Sequence, residues 1–243
     1  MNHRRQSIGL RLLRALALML IAVRSPAAGG EAPVAEAGAE LRATPAASTP
    51  VAEVTFVAFD TETTGLSAQR ERLVEIAAVK FRNGRVLAEK TWLINPGRPM
   101  PPAAEQVHHI SDAMVRDKPD FKTVYPEFAQ FIGEAVLLAH NARFDVAFVS
   151  AECTRHSLPP PPNPVLDTLP LFRHWFPQFA SHSIASLSTN LNLTAGALHR
   201  AQSDTMSLVL IFEQGRRQES PAWTLEALSQ AAHQPLRFTR PPP

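Results

Sequence analysis

Three short segments of this 243-residue chain place acids and histidines at spacings that can do chemistry. Asp60-Thr61-Glu62 follows the apolar run Val54-Thr55-Phe56-Val57-Ala58-Phe59. On a β-strand, side chains at i and i+2 share a face, so Asp60 and Glu62 would stand side by side. Two adjacent carboxylates repel, and a cation between them removes the repulsion. The same spacing is also common on solvated strand ends that bind nothing. His140-Asn141-Ala142-Arg143-Phe144-Asp145 follows a second apolar run and opens a helical pattern. An acid in a first helical turn, here Asp145, can serve a metal or simply complement the helix dipole. His140 can be a base or a hydrogen-bonded structural residue. His199-Arg200-Ala201-Gln202-Ser203-Asp204 opens the last long helical pattern. A carboxylate on a rigid helix suits a metal ligand. A histidine on the loop before it suits a general base, because its ordinary pKa, about 6.5, lets it take a proton at neutral pH.

The elements that must carry these segments read as follows. Residues 54–60 are β-branched, aromatic and apolar, a strand buried on both faces. Residues 73–82 form a second strand pattern, Asn83-Gly84 a hairpin turn, and 86–94 a third strand ended by Asn95-Pro96-Gly97. Beyond Pro102 come short helical pieces at 105–107 and 112–115. Val124, Phe128, Phe131 and Ile132 recur at helical spacing and predict a helix over 123–134. A buried strand over 135–140 leads into a helix over 144–156, with Val146, Phe148 and Val149 inward. After the proline loop 159–164 follow a short strand (165–167) and helices over 169–175, 183–192 and 200–215. This order predicts an α/β fold with one mixed sheet and helices packed against it.

Composition sets bounds without choosing a partner. With 45% hydrophobic and 19% charged residues the chain is globular rather than disordered. The 22 prolines concentrate at 96–102, 159–164 and 241–243, marking loops and ends. A net charge of +2 is compatible with a local basic patch, so nucleic acid is neither required nor excluded. The single cysteine, Cys153, excludes an intrachain disulfide and a Cys-rich zinc site, and its helical setting predicts a small buried hydrophobe.

The ends read differently from the middle. Arg4-Arg5, the apolar residues 15–23 and Ser25-Pro26-Ala27-Ala28 outline a signal peptide over 1–28. An ordinary amphipathic helix or a wrongly chosen start codon are the alternatives. The expectation is a cytoplasmic protein, or an exported, periplasmic one if that segment is cleaved. The apolar core falls short of the ~20 residues of a membrane span. Residues 29–50 read as a disordered linker, 51–215 as the folded domain and 216–243 as a polar tail. In that tail Trp223, Leu225 and Leu228 form either a short docked helix or nothing.

Taken in order, Phe59-Asp60-Thr61-Glu62-Thr63-Thr64-Gly65-Leu66, His140-Asn141-Ala142-Arg143-Phe144-Asp145 and His199-Arg200-Ala201-Gln202-Ser203-Asp204 resemble the three motifs of the DEDDh (DnaQ-like) 3′–5′ exonuclease family. The proofreading subunit of bacterial DNA polymerase III and ribonuclease T belong to that family. Val107-His108-His109-Ile110-Ser111, Leu166-Asp167-Thr168-Leu169 and His182-Ser183-Ile184-Ala185-Ser186-Leu187 support the resemblance, which covers about residues 54–214. His109 is a departure, since members often carry glycine there.

The resemblance implies a ribonuclease H-like five-stranded mixed sheet in the order βββαβαβα. It implies Mg²⁺ or Mn²⁺, two ions per site, with Asp60, Glu62, Asp145 and Asp204 as ligands and His199 as general base. Asp145 would act on the second ion, through water or directly. Thr61, Thr63, Leu66, His140 and Asn141 would line the place of the last nucleotide. The implied substrates are single-stranded or frayed 3′ ends of DNA, with RNA as the alternative. Association with a polymerase is a further implied partnership. A non-catalytic nucleic-acid-binding module on the same fold is the rival of another class; the filled motif positions argue against it.

Overall fold

The computed structural model describes residues 45–193, 201–218 and 223–239. The segment 1–28 and His199 both lie outside the described residues. A short 3₁₀ turn, Val51–Glu53, leads into strand β1 (Phe56–Thr63). Then come β2 (Leu73–Arg82) and β3 (Arg85–Leu93). Helices α1 (Pro102–His108), α2 (Asp112–Val115) and α3 (Phe121–Ile132) precede β4 (Val136–Ala139) and α4 (Arg143–Arg155). β5 (Val165–Asp167) is followed by α5 (Thr168–Trp175), α6 (Ile184–Asn190), α7 (Ala201–Arg216) and α8 (Leu225–Ala231).

The strands form one sheet in the order β3-β2-β1-β4-β5. β1 runs antiparallel to β2 and parallel to β4; β4 runs parallel to β5. The Asn83-Gly84 turn joins β2 to β3 with positive φ at both residues, as the turn chemistry demands.

β1 is central and buried on both faces, and its period of two divides it between two cores. Val57 and Phe59 pack with Phe121, Val124 and Phe128 of α3 and Val146, Phe148 and Val149 of α4. Phe56 and Ala58 pack with Leu171 and Phe172 of α5 and Leu208, Ile211 and Phe212 of α7. Cys153 is fully buried in the first core, where burial pushes its thiol up to about 11 and leaves it unreactive.

Two differences from the sequence reading, and the His109 departure noted there, have physical causes. β1 runs on to Thr63 because Thr63 still pairs with Leu73 of β2, so Asp-Thr-Glu lies inside the strand rather than at its exit. His109 caps α1 in the left-handed conformation, at φ 59°, a place where glycine avoids a Cβ clash; its side chain is exposed.

The second difference is the C-terminal segment, which is part of the folded unit, so a domain end at 215 falls too early. Thr224 caps α8, Leu225 and Leu228 enter the second core, and Trp223 meets Trp175 at 5.7 Å between ring centres. Leu236 then exchanges two backbone hydrogen bonds with Val165 at 2.7 and 3.0 Å, and Phe238 is buried beside Phe59. A short stretch with few apolar residues carries little periodic signal, yet it covers the otherwise open edge of β5.

The helix bearing the last acidic motif is held by close packing at its far end. A Cβ added at Gly215 of α7 would lie 2.2 Å from the Trp175 ring. We expect Gly215→Ala to lower the unfolding free energy by about 1–3 kcal/mol, the usual cost of overpacking. Denaturant unfolding of both proteins measures it, and an unchanged midpoint would mean the two helices do not meet this closely.

Candidate active site

Alternation along β1 decides where each motif residue points. Asp60 and Glu62 continue the Phe56–Ala58 face, toward α7; Thr61 and Thr63 continue the Val57–Phe59 face, toward α4. Asp204 lies in the first turn of α7. Oxygen atoms of Asp60, Glu62 and Asp204 can all lie within 4.8 Å of one another, and each residue stays partly accessible. This donor set is all-oxygen, compact and open on one side, and it fits a hard divalent cation. Burial raises the Asp60 carboxyl well above the usual range, and the neighbouring charges of Asp145, Glu62, Asp204 and Glu75 add to it.

Asp145 is placed beside this group rather than in it. It is buried at the start of α4, and the Thr61 hydroxyl donates to its Oδ1 at 2.7 Å. Burial pushes its carboxyl upward, against the hydrogen bond from Thr61. Thr61 therefore fixes Asp145 from the strand between the two acids of the first motif.

The other expected contact residues divide into inner supports and outer surface. The Thr63 hydroxyl is buried and donates to the Gly65 carbonyl at 2.6 Å. His140 stacks on Phe172 at 5.5 Å, and its Nδ1 meets the Thr168 hydroxyl at 3.0 Å. Burial lowers the His140 pKa to about 4, so the imidazole is neutral at pH 7. Asn141 is exposed in the left-handed conformation, its N–H donating to Asp167 Oδ1 at 3.0 Å. The same Asp167 oxygen caps α5 through Leu169 N, so one carboxylate fixes both the start of α5 and the turn that launches α4.

Leu66 is 90% exposed on the loop after β1, an unusual place for so large an apolar side chain. The loop is not loose. Thr64 Oγ1 donates to Glu71 at 2.6 Å, Arg98 pairs with Glu71 at 3.1 Å and donates to the Arg70 carbonyl at 2.8 Å, and Arg155 donates to the Ala68 carbonyl. Leu66 is thus presented outward by a braced turn. The sequence reading passed over Glu75, whose buried carboxylate accepts from the first N–H of α7; an acid in an apolar strand run signals nothing by spacing.

Residues 57–212 match the family model RNase_T, described as exonuclease. The chain is 39% identical over 161 residues to the DNA polymerase III subunit epsilon of Treponema pallidum (strain Nichols), covering 65% of this chain and 75% of that protein. It is 38% identical over 165 residues to the PolC-type DNA polymerase III of Streptococcus pneumoniae serotype 2, of which it spans only 11%. Among solved structures, exonuclease X in complex with 5′-overhanging duplex DNA superposes with TM-score 0.59 at 30% identity, over 73% of this chain and 99% of that one. Escherichia coli exonuclease I in complex with a dA16 oligonucleotide shares the fold, with TM-score 0.63 at 17% identity over 69% of this chain and 42% of that one. The mixed sheet flanked by helices is the ribonuclease H-like fold expected from the sequence.

Protons and metal should compete at the acidic cluster. A carboxyl raised above its ordinary range must release its proton before it ligates, so affinity grows with pH. We expect Mn²⁺ binding, followed by titration calorimetry, to tighten from about pH 5.5 to about pH 7.5 with proton release on binding. An affinity flat across that range would mean that the cluster is already fully ionised.

Proposed function

The chain belongs to the RNase_T exonuclease family, a 3′–5′ exonuclease by that membership, and on this premise we propose that it removes nucleotides from single-stranded or frayed 3′ ends of DNA with two Mg²⁺ or Mn²⁺ ions. The family is metal-dependent, and the observation that carries the reading is the convergence of Asp60, Glu62 and Asp204 within 4.8 Å.

In this reading Asp60, Glu62 and Asp204 would hold one ion, and Asp60 and Asp145 would hold the second. Two divalent ions bound there supply Lewis-acid stabilisation of the phosphoryl charge in an in-line displacement. The chain's own residues do the rest. Thr61 keeps Asp145 oriented by its hydrogen bond. Asp60 and Glu62 stay fixed because β2 pairs with them at Ala77 and Glu75 and β4 anchors β1 just upstream at Phe56–Ala58. His199 takes the proton of the attacking water, and the products are a nucleoside 5′-monophosphate and a strand shortened by one.

The last nucleotide is received on the outer surface. Leu66 offers an apolar face to the terminal base, and its exposure on a braced loop supports that role. Asn141, exposed just before α4, would offer a polar contact, while Thr61, Thr63 and His140 would hold the surrounding segments by their own hydrogen bonds. Stacking on an apolar side chain reads no base edge, so sequence preference is weak. The DNA-bound exonuclease X relative and the polymerase III relatives favour DNA over RNA and make a polymerase a candidate partner. No helix among the described residues is long and apolar enough to cross a membrane. We place the enzyme in the cytoplasm, and N-terminal sequencing tests this: a mature start near Ala28 would move it outside.

One assay tests the whole reading. Incubated with 3′-labelled single-stranded DNA and Mg²⁺, the protein is expected to release labelled mononucleotide, and EDTA to stop it. Asp60→Ala and Asp204→Ala are expected to abolish release while the circular dichroism spectrum stays native. His199→Ala is expected to slow release by about 10²–10⁴-fold, the usual worth of a general base. Full activity in either aspartate variant sinks the metal assignment, an unchanged rate removes His199 from the mechanism, and faster cleavage of labelled RNA would make the enzyme an exoribonuclease.

A further inference from the structure

We propose that Glu75 is a positioning residue, whose buried carboxylate fixes the first turn of α7 and thereby sets where Asp204 stands relative to Asp60 and Glu62. For its activity readout this rests on the nuclease reading above; its geometry does not.

Glu75 lies on β2, directly across from Glu62 in the antiparallel register, and is 0% exposed. Every second residue of β2 shares its face. Val79 and Phe81 on that face belong to the core beneath α7, so Glu75 is directed at α7 as well. Its Oε2 accepts a hydrogen bond from Ala201 N at 3.1 Å, and the bond is buried. Ala201 is the first residue of α7.

A carboxylate removed from water is costly unless charge and hydrogen bonds compensate it. A helix start offers both: N–H groups without intrahelical acceptors, and a partial positive charge of about +0.5. Local stability alone gives no reason to put a further acid here. Glu75 stands one strand from Glu62 and adds to the negative potential felt by Asp60. What it supplies is position. Asp204 comes three residues after Ala201, in the same turn, about 4.5 Å along the axis at 1.5 Å per residue. A slip of the helix start therefore passes undiminished to Asp204. A displacement of about 1 Å at a reacting centre can cost about 10²-fold in rate. At the other end Trp175 packs against Gly215 and limits how far α7 can slide. Glu75 fixes the end that bears the ligand.

The test compares Glu75→Ala with Glu75→Gln, which keeps the length and the accepting oxygen. Mn²⁺ affinity is read by titration calorimetry without substrate, and kcat and KM on a single-stranded DNA oligonucleotide. In Glu75→Ala we expect Mn²⁺ affinity to fall about tenfold and kcat about 10–10²-fold with KM within about threefold, in protein shown to be folded at the assay temperature. We expect Glu75→Gln to recover both to within about threefold. Wild-type affinity and kcat in folded Glu75→Ala overturn the proposal, and so does a Glu75→Gln as impaired as the alanine variant. Should Glu75→Ala not fold, Glu75→Asp decides. One methylene shorter, it is expected to lose Mn²⁺ affinity to a similar degree, and wild-type affinity in it overturns the proposal. A wild-type protein without nuclease activity would sink the functional reading and leave the Mn²⁺ comparison standing.

Discussion

Mutual repulsion among crowded acids is the constraint around which this molecule is arranged. Asp60, Glu62, Asp204, Asp145 and Glu75 gather where the end of β1 meets the first turns of α4 and α7, and burial together with the charge of the other four raises the carboxyl of Asp60. Nothing in their own chemistry would hold them together in the absence of a cation. The rest of the fold must therefore supply a rigid frame, and its elements are placed accordingly. β1 is locked between β2 and β4, both helices begin beside it, and two of the acids outside β1 have a fixed donor: the Thr61 hydroxyl for Asp145 and Ala201 N for Glu75.

The two-faced strand resolves the crowding by geometry. A single residue of offset along β1 sends Asp60 and Glu62 to one helix and Thr61 to the other. Charges that must share a cation lie on one side, and the donor that steadies the outlying acid lies on the other. The neutral His140, held by Phe172 and Thr168, fits the same economy, since a charged imidazole there would have to be desolvated.

Much of this was legible in the sequence, and the limits are physical. The strands, the helices and the β2–β3 hairpin followed from apolar periodicity and from Asn83-Gly84, because local pattern and tertiary environment agree there. Asp60 and Glu62 were legible as a pair because strand geometry puts them on one face, while Asp204 joined them only through the family resemblance. The bond from Thr61 to Asp145 was not, since it joins residues 84 positions apart, and local pattern carries no such information. Glu75 was hidden for the same reason: its partner is a helix start 126 residues away. The docking of Trp223, Leu228 and Phe238 depends on surfaces that exist only once the rest has folded.

The closing of the β5 edge by Leu236 bears on how the chain is made. Ribosomes deliver the sheet from its amino-terminal side, and domains begin to organise as they emerge. Here the last ladder contacts and the Phe238 plug come from the final residues described. The segments at 47–51 and 223–226 also hydrogen-bond to each other, so the beginning of the unit waits for its end. Such non-local closure slows folding and leaves a strand edge bare during synthesis. The nascent protein would thus hold its acidic residues near one another before residues 223–238 have sealed the scaffold, and its competence as a catalyst waits for those residues to emerge.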